Sequence, residues 1–346
     1  MVRAFRGVGE PADSWWSEDW IGSCVTTGSA SARGTGDGDG LSSVASPDGS
    51  LVLLREVIAA SPETMLGAGP RVRPDRPDLL VKLVSSATRV PLHAHPSRSF
   101  AGRHLGSPFG KTEAWVVLAA PGEQVEEPYV GVGLQPGVGR AELADLVRRQ
   151  DHAGFAAALV RRVVRAGEVY LIPAGTPHFF GPQILVLNVQ EPSDHTVLAE
   201  WDGAAAEPQA RMGLDWETAL AAFELEPGRT PGTPAEALQP ATRLRSAAGG
   251  VEDRLVGPAA DGFFDISRLE VTRQLAVEDG RFYVGIVVEG GGTLEFDGGS
   301  LGLVRGGALV CPASLPHAFA TGSDRLAVIR CLESGLTPDP VPRSLP

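Results

Sequence analysis

Cysteine, methionine and tyrosine are scarce in this chain, with three of each among 346 residues. The cysteines, Cys24, Cys311 and Cys331, lie far apart without a Cys-x-x-Cys pair, so neither a disulfide framework nor a thiolate zinc site is indicated. No apolar run approaches the roughly 20 residues that cross a bilayer. The N-terminus also lacks the apolar centre of a secretory signal. We therefore expect a cytoplasmic protein that does not bind a membrane.

Basic residues are outnumbered, since 30 lysines and arginines face 42 aspartates and glutamates and give a formal net charge of -12. This balance disfavours binding to nucleic acid, which needs a basic face to displace counterions from phosphates. Glycine and proline are abundant, at 43 and 28 residues, which favours short strands and turns over long helices. The composition therefore indicates a soluble, turn-rich protein. Composition does not decide its partner or oligomeric state, for which we expect a small molecule and a monomer or homodimer.

Short apolar runs broken by turn residues predict β-strands in two blocks. The first block contains LLVKLV, EAWVVLAA, YVGVGL, EVYLIPAG and ILVLNVQ, and the second contains FFDISRLEV, FYVGIVVEGGGTLEF, GALVCPA and RLAVIRCLE. Residues 140–162 and 214–226 instead have apolar residues at helical spacing. We predict a catalytic domain over residues 1–230 that includes both helical segments, a Pro-, Gly- and Ala-rich linker over 231–252, and a second domain over 253–346.

Each block contains one copy of a similar stretch. RAGEVYLIPAGTPHFF, residues 165–180, and RGGALVCPASLPHAFA, residues 305–320, share Arg-x-Gly, an apolar strand, Pro-Ala and Pro-His, which indicates a duplicated unit. The first copy resembles the second motif of the cupin β-barrels at Gly167, Pro173, Gly175 and His178. In the second copy a serine replaces the glycine, and no partner histidines precede His317. The resemblance implies a mainly β fold of two cupin barrels (double-stranded β-helix or jelly-roll), the second degenerate, with a helical insertion and bridging helices.

The stretch PLHAHPSRSF, residues 91–100, contains two of the seven histidines, His93 and His95. Residues i and i+2 of a strand face the same side, so both imidazoles can reach one ion. Two histidines on a solvated strand face are at least as common as a metal site, so this pair alone decides little. Glu113 and His178 follow at strand edges, and a cupin barrel would bring all four side chains to its mouth. Three nitrogens and one carboxylate then suit a divalent cation.

The surroundings of these residues are more specific than the residues themselves. HAHPSRSFAGRHLGSPFGKTEAW, IPAGTPH and NVQEPSDHT resemble the class I mannose-6-phosphate isomerases, whose patterns are QVHPDD, GKTE, PAGTPHA and IQEPSDTTYR. The resemblance is good over residues 79–225 and weak elsewhere. It implies an aldose-ketose isomerase with one Zn²⁺ per chain, which His93, His95, Glu113 and His178 would hold. Because His93 stands where the family has glutamine, Fe²⁺ and Mn²⁺ are also credible.

The family's reaction, carried over to this chain, interconverts mannose 6-phosphate and fructose 6-phosphate, or a related sugar phosphate, through a cis-enediol. Lys111, within GKTE, is expected to act as an acid or base or to bind an anionic substrate, although a lysine flanking a turn is the plainer interpretation. Three positions depart from the family pattern: Leu198 replaces its arginine, Pro91 its serine, and Ser97 with Arg98 its pair of aspartates. Arg98 and Arg103 are therefore candidates for the anion site, although loop arginines are more often simply solvated.

Two other functions compete with the isomerase. A metal-dependent cupin oxygenase also uses three histidines and a glutamate, but there the glutamate usually follows His-x-His within a few residues. Here it follows 18 residues later, inside GKTE, which favours the isomerase. The second competitor is a non-catalytic sugar-binding or regulatory cupin that kept the metal and lost the arginine.

Overall fold

Strands dominate the computed structural model, which describes residues 1–7, 16–26, 40–46, 48–69, 71–120, 127–203, 206–277, 280–315 and 318–334. The elements of the first part, in chain order, are α1 (Val2–Arg6), β1 (Trp16–Ile21), β2 (Ser43–Ala45), β3 (Leu51–Leu53), α2 (Leu54–Ala60), α3 (Pro62–Leu66) and β4 (Leu80–Ser86). None of the helices described is long and apolar enough to cross a membrane. His317, the histidine of the second Pro-His motif, lies outside the described residues.

The middle of the chain, residues 84–238, forms one compact unit. Its elements are β5 (His93–Ala94), α4 (Arg98–His104), β6 (Glu113–Ala119), β7 (Tyr129–Leu134), α5 (Arg140–Arg149), α6 (His152–Ala158), β8 (Leu159–Val163), β9 (Val169–Ile172), β10 (His178–Phe180), β11 (Leu185–Gln190), β12 (Val197–Leu198), α7 (Glu207–Ala210), α8 (Trp216–Leu220) and α9 (Pro234–Ala237). The order β12-β5-β10-β7-β8 forms one sheet of this unit, and β11-β6-β9 belong to another. Strands β6, β9, β10 and β11 are buried throughout or nearly so, because both of their faces are covered.

The second unit contains the described residues of Met1–Thr26, Gly38–Leu83 and Gln239–Asp339. Its later elements are β13 (Thr242–Ala247), β14 (Gly250–Arg254), β15 (Phe264–Val271), β16 (Gln274–Val277), β17 (Tyr283–Phe296), β18 (Gly299–Val304), β19 (Ala308–Cys311) and β20 (Ala318–Glu333). They form one eight-stranded sheet whose order is β13-β14-β15-β20-β17-β18, with β16 beside β20 and β19 beside β17. The side chains in its core are apolar and include Leu269, Tyr283 and Val328. The described part of this core therefore contains no cluster of metal ligands.

The predicted fold class, mainly β with cupin barrels, is confirmed. The helices differ in extent from their predictions. Residues 140–162 form α5 and α6, but the last part is β8, whose alternating burial fits its pairing with β7. Residues 214–226 form only the short α8, after which the chain turns and Glu224 N donates to Gly175 O. The stretch expected to be a linker contains α9 and β13, and the chain passes from one unit to the other at Leu238.

Candidate metal centre

Two antiparallel strands bring three histidines together. His178 of β10 lies directly opposite His93 of β5, so their side chains leave the sheet on the same face. The ring centroids of His93 and His178 are 4.1 Å apart, and His95 lies 5.0 Å from the first and 4.8 Å from the second. All three side chains are buried, and their candidate ligand nitrogens lie within 4.8 Å of one another. The three nitrogens are therefore close enough together to be candidate ligands of one metal ion.

Each of these histidines has its Nδ1 atom bonded to a backbone carbonyl. The distances are 2.7 Å from His93 to Pro91 O, 3.0 Å from His95 to His195 O, and 2.7 Å from His178 to Thr176 O. A carbonyl oxygen only accepts, so Nδ1 must carry the proton in all three rings. In a neutral ring Nε2 is then left as a bare lone pair. The backbone thus fixes the tautomer that a metal ion bound at Nε2 needs.

Burial also keeps the rings of His93 and His95 uncharged. It lowers the pKa of His93 well below its usual value, and the neighbouring His178 and His95 lower it further. It lowers the pKa of His95 to about 3, with a contribution from the ammonium of Lys111. These imidazoles are therefore neutral at physiological pH, which is the form that binds metals.

Glu113, the first residue of β6, supplies a carboxylate beside the histidines. Its Oε2 lies 3.2 Å from His95 Nε2, and its Oε1 lies 3.5 Å from His178 Nε2. Burial alone would raise its pKa, but neighbouring groups, the ammonium of Lys111 among them, hold the pKa well below the usual range. The side chain is 2% exposed, so this is an ionised carboxylate deep inside the unit.

The chemistry of these four side chains fits a bound cation. The Nε2 atoms of His95 and His178 are buried and make no hydrogen bond. With Nδ1 protonated, each turns a lone pair toward a negatively charged carboxylate, an arrangement that costs free energy without a positive charge between them. A divalent metal ion would supply that charge and accept all of these lone pairs.

Lys111 lies next to this group and is 6% exposed. Its Nζ is 3.9 Å from Glu113 Oε2 and 4.0 Å from Asp194 Oδ1. It also donates to Thr196 Oγ1 at 3.4 Å, and this hydroxyl is 3.3 Å from His95 Nδ1. The plainer interpretation of Lys111, a solvated lysine flanking a turn, is inconsistent with this burial.

The two candidate arginines differ in their surroundings. Arg98 opens α4, and its Nε donates at 2.5 Å to Oε2 of Glu191, a carboxylate that is 1% exposed. Arg103 lies at the other end of the helix and is exposed. Leu198, in the position of the family's arginine, lies opposite His93 in the pairing of β12 with β5. An apolar side chain therefore occupies the same face of the sheet as a candidate ligand.

Two residues that contact Glu113 were not predicted from the sequence. Trp115 Nε1 donates to Glu113 Oε1 at 2.7 Å, and Asn188 Nδ2 donates to Oε2 at 3.1 Å. A tryptophan two residues after a glutamate on a strand shares its face, and this was the available signal. A buried aromatic residue on a strand usually packs in the core, so the sequence alone favours packing for Trp115 over a contact with Glu113.

The fold and the site together define a cupin-type barrel protein with a buried three-histidine group that can hold a metal ion. No family model matches the sequence. Mannose-6-phosphate isomerase ManA of Bacillus subtilis (strain 168) is 31% identical over 139 residues, which are 40% of this chain and 41% of that protein. The mannose-6-phosphate isomerase of Streptococcus mutans serotype c is 30% identical over 118 residues, which are 34% of each chain. The chain thus matches less than half of the length of either relative.

Longer matches come from one further relative and from solved structures. YvyI of Bacillus subtilis (strain 168) is 24% identical over 260 residues, which are 74% of this chain and 76% of that protein. The mannose 6-phosphate isomerase structure from Bacillus subtilis superposes with a TM-score of 0.67 at 20% identity, over 91% of this chain and 98% of that one. A variant of phosphomannose isomerase from Salmonella typhimurium gives 0.70 at 17% identity, over 97% and 95%. In sequence and in fold, the chain is similar to mannose-6-phosphate isomerases, which confirms the resemblance seen in its motifs.

Proposed function

We propose that this protein is a metal-dependent aldose-ketose isomerase that interconverts mannose 6-phosphate and fructose 6-phosphate, or a related sugar phosphate, through a cis-enediol. The observation that carries the proposal is the buried group of His93, His95 and His178, with the Glu113 carboxylate beside the last two of these rings. The named relatives support the choice of reaction, since ManA and the Streptococcus protein are mannose-6-phosphate isomerases. We place this activity in a cytoplasmic protein whose catalytic domain is residues 1–230.

His93, His95, His178 and Glu113 would hold one Zn²⁺ ion, and Fe²⁺ or Mn²⁺ would suit the same three nitrogens and one carboxylate. When bound, the metal supplies Lewis acidity that polarises the carbonyl and hydroxyl oxygens at C1 and C2 of the sugar. The backbone carbonyls of Pro91, Thr176 and His195 keep the ring orientations constant. The site is thus arranged before the substrate arrives, which lowers the cost of stabilising charge.

The chain's own residues also provide for the proton transfer. Lys111 holds a proton at Nζ, close to Glu113 and Asp194, and can donate it to the oxygen that becomes negative in the enediol. An ammonium in a buried site also favours that negative charge electrostatically. Arg98 and Arg103 are the proposed binding residues for the substrate phosphate. The ion pair of Arg98 with Glu191 argues against Arg98 in this role.

The deciding experiment measures bound metal and then assays mannose 6-phosphate, fructose 6-phosphate and the unphosphorylated sugars in parallel. We expect about one metal ion per chain and turnover of a hexose phosphate. His178→Ala and Glu113→Ala should each lose both metal and activity. Metal bound without turnover of any of these sugars would overturn the isomerase in favour of a regulatory cupin, and oxygen consumption would indicate the oxygenase.

Lys111→Met tests the proton donor separately from the metal. We expect kcat to fall by about 10²-fold or more, since a positioned acid or base contributes on this order. Metal content should stay at the wild-type level, because the amine is not a ligand. Lys82→Met is the matched control, since Lys82 is equally buried but stacks over Trp20 in the other unit. Equal activity in Lys111→Met and wild type would remove Lys111 from the mechanism.

A further inference from the structure

Glu113 is held by one donor on each of its two oxygens. Trp115 Nε1 donates to Oε1 at 2.7 Å, while Asn188 Nδ2 donates to Oε2 at 3.1 Å. We infer that Trp115 and Asn188 are positioning residues, here called the carboxylate clamp, which orient Glu113 for metal binding. This inference rests on the metal centre of the proposed function.

The strand register explains how the clamp forms. Trp115 of β6 lies directly opposite Asn188 of β11, and Glu113 lies two residues before Trp115 on the same strand. All three side chains therefore leave the sheet on one face, within reach of one another. The side chains are 1%, 7% and 2% exposed for Trp115, Asn188 and Glu113, so water does not compete for the hydrogen bonds.

The buried amide of Asn188 destabilises the folded state, because one of its two polar atoms has no hydrogen-bond partner. Its Nδ2 is used on Glu113, but its Oδ1 is buried and has no hydrogen-bond partner. An unpaired buried acceptor loses its hydrogen bonds to water without replacement, a cost that an apolar residue of similar volume would avoid. The immediate neighbours of Asn188 along β11, Leu187 and Val189, are apolar and fully buried. Packing does not explain an amide at this position. The hydrogen bond from Asn188 Nδ2 to Glu113 does.

The two hydrogen bonds of the clamp orient the carboxylate because each occupies one lone pair of a Glu113 oxygen. Each oxygen of an ionised carboxylate has two acceptor directions, and the clamp occupies one on each oxygen. The remaining directions are left for the side where Nε2 of His95 and of His178 lie, at 3.2 and 3.5 Å. Trp115 also packs edge-on against the His178 ring, with centroids 5.4 Å apart, so it fixes a ligand as well as the carboxylate.

The test is metal affinity, measured on the full chain by competition with a chromophoric chelator for Zn²⁺, together with the visible spectrum of the Co²⁺ form. Trp115→Phe keeps an aromatic side chain and removes the Nε1 donor together with part of the ring volume, and Asn188→Leu removes the amide at similar volume. We expect each variant to bind Zn²⁺ about 10- to 100-fold more weakly, the usual effect of losing an outer partner of a ligand. The Co²⁺ bands should also shift, because the carboxylate reorients.

Trp216→Phe is the matched control, since Trp216 Nε1 also donates to a glutamate, Glu207, at 2.8 Å but is not bonded to Glu113. It should leave both the affinity and the Co²⁺ spectrum unchanged. Wild-type affinity and spectrum in Trp115→Phe and Asn188→Leu would overturn the clamp and leave the metal centre standing. If the wild-type chain itself bound neither Zn²⁺ nor Co²⁺, the metal centre and the clamp would both be wrong. Should one variant fail to fold, the other decides.

Discussion

At the scale of single residues, the surroundings of Arg98 separate a structural role from a role in substrate binding. The guanidinium pairs with Glu191, whose other oxygen accepts from Thr112 N at 3.0 Å. The Glu191 carboxylate thereby connects α4 to the start of β6, close to Glu113. An arginine already committed to a buried carboxylate has less to offer to a phosphate.

We therefore predict that Arg98→Ala destabilises the protein by about 3–5 kcal/mol, because it leaves the buried charge of Glu191 uncompensated. Urea unfolding measures this loss. The double variant Arg98→Ala/Glu191→Gln should recover part of the stability, because no charge is then left unpaired. A role in anion binding would give a different pattern: a raised KM for the phosphorylated sugar and no recovery in the double variant.

The four candidate ligands could be named from the sequence because each lies in a recognisable short motif at a strand edge. The carbonyl groups that accept hydrogen bonds from the histidine Nδ1 atoms could not be named in this way. Nothing in the spacing of Pro91, Thr176 or His195 shows that their carbonyls meet the Nδ1 atoms, since backbone contacts between distant segments depend on the folded register. The ion pair between Arg98 and Glu191, 93 residues apart, could not be predicted for the same reason.

At the scale of elements, the turn between β9 and β10 determines where His178 lies. Gly175 has a φ of +90°, and its N–H donates at 2.7 Å to the carbonyl of His95. A Cβ added there would lie 2.7 Å from the Cβ of Glu224. This turn therefore connects one candidate ligand to the strand of another, and it depends on a residue without a side chain.

Gly175→Ala should destabilise the protein by about 2 kcal/mol or more and weaken metal binding, because backbone strain and a collision act together. Gly167→Ala is a close control, since Gly167 has a similar φ of +92° but open space around its Cβ position. It should cost about 1–2 kcal/mol from the backbone alone and leave metal affinity unchanged. Thermal unfolding and chelator competition measure the two effects. Equal metal affinity in both variants and in wild type would contradict this role of the turn.

Strands were predicted better than helices, and the reason is physical. Runs such as YVGVGL are apolar because both faces of β7 are covered, so the run and the strand coincide at Tyr129–Leu134. Residues 159–163 follow two helices without a turn signal, and only their pairing with β7 makes them a strand. Likewise α8 ends at Leu220, and four residues later Glu224 N donates to Gly175 O. The local sequence does not encode this hydrogen bond to a distant segment.

At the scale of the whole molecule, the free energy of unfolding should depend on pH through Asp78 in the second unit. Burial raises the pKa of Asp78 to about 6, and the nearby carboxylate of Glu333 contributes. The folded state therefore binds this proton more tightly than the unfolded chain does. The resulting stabilisation is complete below the unfolded pKa of about 4 and is lost as pH rises through 6.

Asp78→Asn removes this dependence, so the variant should gain about 1–2 kcal/mol relative to wild type between pH 4 and pH 8, after allowance for solvent screening. Urea unfolding of both proteins at several pH values gives the difference, and any constant offset cancels. Asp75→Asn should leave the difference nearly flat over this range, because the hydrogen bond from Arg76 lowers the pKa of the exposed Asp75 and places its titration below this range. A flat difference curve for Asp78→Asn would contradict the assignment.

The division of the chain into two units also affects how the protein is made. Residues 84–238 leave the ribosome as one continuous stretch that contains His93, His95, Glu113 and His178, so this unit can close on itself while synthesis continues. The other unit joins segments that precede residue 84 to Gln239–Asp339, so its eight-stranded sheet cannot form until the chain beyond residue 238 has been made. The candidate metal ligands can therefore assemble before the eight-stranded sheet exists.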